Sequence, residues 1–96
     1  MTTQIAPSGW YAIIPEGGGT VLVEFDSGGR MTALVEESMF STHLAANDSR
    51  ANAVRAYQDG QTDVDVSQSD ARAVIAAWDA DVDADSACVE RIIGID

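Results

Sequence analysis

The sequence predicts an α+β domain, a three-stranded antiparallel β-meander covered by two or three helices. Three observations carry that expectation. The front half holds short alternating apolar runs separated by glycine-rich turns. The back half holds an apolar stripe at helical spacing, Ala71, Val74, Ile75 and Trp78. With 96 residues, 46% of them hydrophobic, the chain suits one folded domain spanning residues 1–96 and lies outside the composition range of disorder.

Trp10-Tyr-Ala-Ile-Ile-Pro15 is short and rich in aromatic and β-branched residues, and Gly17-Gly18-Gly19 closes it as a first strand. Thr20 to Asp26 alternates, with Val21, Val23 and Phe25 on one face and Thr20, Glu24 and Asp26 on the other. Ser27-Gly28-Gly29 tolerates the backbone angles of a tight hairpin, and Arg30 to Glu37 returns with Met31, Ala33 and Val35 on one side. The apolar face of such a meander needs a cover.

Ser38 to Ala46, carrying Met39, Phe40 and Leu44, is a short helix that begins that cover. Asn47-Asp48-Ser49 caps a second helix running to about Gln58, with Val54 and Tyr57 on one stripe, and Asp59-Gly60 stops it. Thr62 to Val66 alternates Asp and Val as an edge strand would. A third helix starts near Ser67, where Ser67 and Asp70 have capping-box spacing, and runs to Trp78. Beyond it, Asp79 and Asp83, and Asp81 and Asp85, would repel at i, i+4, so the helix is expected to end. Val89, Ile92 and Ile93 suggest a last short element packed back on the core.

Charge narrows the function more than any motif does. Sixteen acids face five arginines and no lysine, for a net charge of −11. Residues 59–96 hold −8 of it and the first 58 residues only −3. Concentrated charge of one sign opposes folding by self-repulsion, so a basic macromolecular partner, a cation or a salty solvent is implied. Direct binding to nucleic acid or anionic lipid is not expected, since both would repel the chain. Residues 1–9 lack a basic region followed by an apolar stretch, so no signal peptide is expected. The single cysteine, Cys88, gives no disulfide framework, and the cytoplasm is the expected location.

No catalytic constellation stands out, so no enzyme and no cofactor are expected. His43 is single and sits beside Phe40 and Leu44, as a packed or surface histidine would; Cys88, between Ala87 and Val89, is expected to be a small buried residue. Trp10 and Trp78 are expected to be core anchors.

The stretch from Asp79 to Asp85 has two sharper readings. Asp79, Asp81, Asp83, Asp85 and Glu90 fall at positions 1, 3, 5, 7 and 12 of a loop that resembles the EF-hand calcium loop. Ala84 replaces the turn glycine of position 6 and Ser86 the apolar residue of position 8, so calcium is expected to bind weakly or not at all. Alternatively the carboxylates imitate phosphates. On an extended segment alternate residues stand about 6.6 Å apart, of the order of the phosphate spacing along a nucleic-acid strand. A site built to hold phosphates through Lys and Arg would accept Asp79, Asp81, Asp83 and Asp85, flanked by Asp63, Asp65, Asp70 and Glu90.

Trp78, the Asp cluster after it, and Glu90-Arg91-Ile92-Ile93 resemble the C-terminal part of a small acidic anti-CRISPR protein that acts as a DNA mimic. The resemblance covers about a third of the chain. It implies a phage-encoded inhibitor, in the cytoplasm of a host cell, that blocks the positively charged channel of a nucleic-acid-binding protein or complex. An immunity protein or antitoxin opposing a basic toxin shares that physics. A salt-adapted domain shares the lysine-free, Ala- and Asp-rich composition but should spread its charge evenly. Oligomeric state is not encoded in any motif here.

Overall fold

The computed structural model describes residues 5–78, 82 and 85–95. Strands β1 (Gly9–Pro15), β2 (Val21–Phe25) and β3 (Met31–Glu36) form the expected meander. A 3₁₀ turn (Glu37–Met39) leads into α1 (Phe40–Ala46), followed by α2 (Ser49–Gln58), β4 (Thr62–Asp63), α3 (Gln68–Trp78) and β5 (Ala87–Ile92). The strand order is β3-β2-β1-β5-β4, and every neighbour is antiparallel. The α+β class is as expected; the sheet has five strands, where the sequence predicts three.

The two extra strands have different physical origins. The Asp–Val alternation after Gln61 does make an edge strand, but only Thr62 and Asp63 pair, opposite Ile92 and Arg91. The last element is no appendage to the core. β5 pairs with β1 from Trp10↔Ile92 to Pro15↔Ala87, which makes β1 the central strand. That position explains why Ala12 and Ile13 have no exposed surface at all.

Both faces of the sheet are covered, so the expectation of one apolar face is also corrected. On one face Tyr11, Ile13, Val21, Val23, Phe25 and Val89 pack with Val74 and Ile75 of α3, and Ala71 and Trp78 complete the contact. This is the stripe that the spacing of α3 predicts. On the other face Trp10, Ala12, Leu22, Val35 and Ile92 pack with Phe40 of α1 and Ala53, Val54 and Ala56 of α2, joined by Leu44 and Tyr57. Leu22, opposite in direction to Val21 and Val23, is as buried as they are. Met31 and Met39, both expected to pack, are 41% and 42% exposed. Met31 follows the hairpin where the register shifts between Glu24 and Phe25, leaving Thr32 as the extra residue. Met39 ends the 3₁₀ turn before the helix begins to face the sheet.

Local chemistry fixes the helix ends. Asn47 takes the left-handed conformation (φ 51°) and its N–H donates to the carbonyls of His43 and Leu44, closing α1. Asp48 then caps α2, its Oδ1 accepting from the N–H of Arg50 (2.9 Å) and Ala51 (3.2 Å). At α3 the Ser67 hydroxyl accepts from the Asp70 N–H at 3.1 Å, the N-cap half of the expected capping box. Among the described residues no helix is long and apolar enough to cross a membrane.

Candidate functional site

Three of the acids that the sequence singles out, Asp63, Asp65 and Asp70, meet beside the N-terminal half of α3. Asp63 leaves the sheet edge, its carboxylate accepting from the Asp65 N–H at 2.9 Å and turning the chain toward Ser67. Asp70 stands one turn into α3, where a carboxylate also favours the positive end of the helix. Together with Pro7, Tyr11, Val66, Ser67 and Arg91, these three acids line a cavity of about 170 Å³. Arg91 reaches it because odd-numbered residues of β5 face α3: its register partner on β1 is Tyr11 and its partner on β4 is Asp63.

Tyr11 forms the floor. Its side chain is 2% exposed, and its ring meets Phe25 edge-on at 6.1 Å between centroids. Burial raises the pKa of the phenol above its ordinary 10.0; Arg91 opposes the shift and Asp70 adds to it. The phenol is therefore protonated at neutral pH.

Asp85 lies on the other flank of the same helix. Its Oδ1 accepts from Gln68 Nε2 at 3.4 Å and stands 3.7 Å from the Arg72 guanidinium. Gln68 and Arg72 are one turn apart, and Asp70 projects away from that pair. Glu90 is separate again. It shares the sheet face of Ala12 and Ile92, opposite to α3, and its Oε1 accepts from the Thr62 hydroxyl at 2.6 Å. The structure thus groups Asp63, Asp65 and Asp70 round one cavity, puts Asp85 across the helix from them, and holds Glu90 on the far side of the sheet. Asp79, Asp81 and Asp83 lie outside the described residues.

An EF-hand needs a helix on each side of its loop. Here the segment containing Glu90 is strand β5, and the Glu90 carboxylate is engaged by Thr62. Among the described residues no three His, Cys, Asp or Glu side chains are placed to hold a metal ion.

The remaining candidates are structural. His43 donates from Nδ1 to Asp48 Oδ2 at 2.8 Å, tying the end of α1 to the cap of α2. That hydrogen bond is the chief reason the Asp48 pKa is lowered, with the two N-cap N–H groups contributing. Cys88 is exposed, against the expectation of burial. It pairs with Ile14 toward the end of β1, beyond the reach of the α1–α2 cover. Trp10 is buried in the α1–α2 face of the sheet, as a core anchor should be, whereas Trp78 is only partly buried against the opposite, α3 face.

Tyr11 and Arg91 were not singled out by sequence reasoning as parts of a site. Their signal was weak: a tyrosine within an apolar strand, and an arginine whose neighbours are set by a long-range pairing. Compared with known proteins, the chain matches no family model, no curated protein and no solved structure.

Proposed function

We propose that this protein is an inhibitory or regulatory protein that binds a basic protein surface through the acidic flanks of α3, as a surrogate for a nucleic-acid backbone. The observation that carries the reading is the placement of charge. Asp63, Asp65 and Asp70, neighbours in the chain, and Asp85, fifteen positions further on, gather round the first half of one helix. They belong to the segment that holds −8 of the net −11. Adaptation to salt would distribute acids evenly over the domain. The small acidic anti-CRISPR proteins that mimic DNA, which the C-terminal third resembles, suggest a partner with a basic nucleic-acid channel.

Short carboxylate stems present charge with little side-chain entropy to lose, and a site that holds phosphates through Lys and Arg meets oxygen acceptors of the same sign. Such complementarity speeds encounter more than it deepens affinity, and it is screened over about 10 Å at 0.1 M salt. The test is capture of the partner on immobilised protein, followed by elution with duplex DNA, RNA or salt. Release by nucleic acid at low ionic strength, together with steep loss of binding as salt rises, is the expected result. A partner that stays bound in excess nucleic acid and high salt would sink the mimic reading.

A further inference from the structure

Resting on the acidic-face reading, we infer that the cavity between Tyr11, Asp63, Asp65 and Asp70 is a receptor for one arginine side chain of the partner, its guanidinium seated against the Tyr11 hydroxyl. The acids alone would not define a site. The independent observation is Tyr11. Its side chain is 98% removed from solvent, yet its hydroxyl has no hydrogen-bond partner among the described residues. No sealed polar atom lacks a partner among those residues, so this hydroxyl opens onto the cavity it lines. Facing the cavity, the hydroxyl is left to solvent, and a bound donor would take the place of water there.

The chemistry of the walls selects the ligand. Three carboxylates outweigh Arg91 and the half positive charge of the α3 N-terminus, leaving about −1.5. An anion is therefore repelled. A single metal ion is poorly served too, since no three acidic side chains among the described residues converge as ligands. A guanidinium suits separated acceptors: it is planar, carries five N–H donors in fixed directions and is more weakly hydrated than an ammonium. About 170 Å³ holds one head group and is well below the 300–1,000 Å³ of cavities that enclose drug-sized ligands.

The experiment uses the whole protein and three small probes: Nα-acetyl-arginine amide, the corresponding lysine amide, and the uncharged citrulline amide. Amide resonances are followed by NMR at low salt, with binding of an oligoarginine peptide measured in parallel. Arginine amide should give saturable shifts centred on Tyr11, Val66 and Arg91; the lysine probe should bind more weakly and the citrulline probe not at all. Tyr11→Phe keeps the ring against Phe25 and should weaken arginine amide about tenfold, as loss of one hydrogen bond to a charged group does. Asp70→Asn, at the half-buried acid of the site and outside the apolar cluster, provides a second test that leaves the core intact.

Equal binding of the lysine or citrulline probe, or equal binding by Tyr11→Phe, overturns the inference. If the small probes fail to saturate while oligoarginine still binds with steep salt dependence, the receptor is wrong and the acidic face stands. If oligoarginine also fails to bind, both readings fall.

Discussion

Replacing Asp63, Asp65, Asp70 and Asp85 together by Asn separates binding from folding. Asp63 uses one carboxylate oxygen to accept from the Asp65 N–H, and an asparagine oxygen accepts the same bond. Asp85 loses an ion pair at 3.7 Å whose side chains are 58% and 68% exposed, a type of pair worth less than about 1 kcal/mol. Relief of repulsion among the three cavity acids offsets part of that. Folding stability should therefore stay within about 1 kcal/mol of the parent. Association has more to lose. Four charge pairs, three of them at exposed acids, at about 0.5 kcal/mol each amount to about 2 kcal/mol, close to a thirtyfold weaker complex at low salt. Fluorescence anisotropy of a labelled oligoarginine peptide measures it. The decisive comparison is a second variant with Glu16, Glu24, Glu36 and Glu37 changed to Gln. It removes the same net charge from the other half of the chain, and Glu24→Gln keeps an acceptor for the Thr32 hydroxyl. That variant should bind within about threefold of the parent, since none of its four acids lies on α3 or lines the cavity. Equal losses in the two variants would refute the argument, because the peptide would then be reading net charge and not the placement of acids on the flanks of α3.

Trp78→Ala should lower stability by about 2–3 kcal/mol in urea unfolding, short of the 3–5 kcal/mol typical of a buried aromatic, because Trp78 is only partly buried against the α3 face. Val74→Ala, at a position with no exposed surface, should cost about 2 kcal/mol; no change in either would remove α3 from the core. Calcium should produce no saturable heat at micromolar concentration by calorimetry, whereas tight binding abolished by Glu90→Gln would restore the EF-hand reading. Acid titration should expose Asp48. Its pKa is lower folded than unfolded, so its contribution is complete above the ordinary value of 3.8 and is lost as pH falls below that toward the lowered value. Asp48→Ala should flatten that part of the stability profile, and an unchanged profile would remove the His43–Asp48 link.

Helices and the meander were legible because each obeys a local rule. Ser67 and Asp48 are caps, the α3 stripe repeats at helical spacing, and glycines punctuate the hairpins. β5 was not legible, and the reason lies in its burial. Val89 faces α3 while Ile92 faces α1 and α2, so the strand has no period-two pattern. Val89, Ile92 and Ile93 even fall at helical spacing. The burial of Leu22 is hidden for the same cause, since two-sided cover removes the alternation that would mark it. Of the candidate site, the sequence announced the acids but not their grouping. Asp63 and Asp70 are joined through a tyrosine and an arginine whose meeting depends on β1 pairing with β5.

That pairing has a kinetic consequence. Ile13 pairs with Val21, eight positions along the chain, and also with Val89, seventy-six positions along. Closing the longer loop costs about 2 kcal/mol more in chain entropy, so β5 should dock after the meander and the helical hairpin have formed. Arg91 arrives with β5, and the cavity floored by Tyr11 exists only once the sheet is complete. An occupant of that cavity would therefore act on the last and most global step of assembly. It should slow whole-molecule unfolding and protect the amides of β1 and β5 from hydrogen exchange together, as one unit.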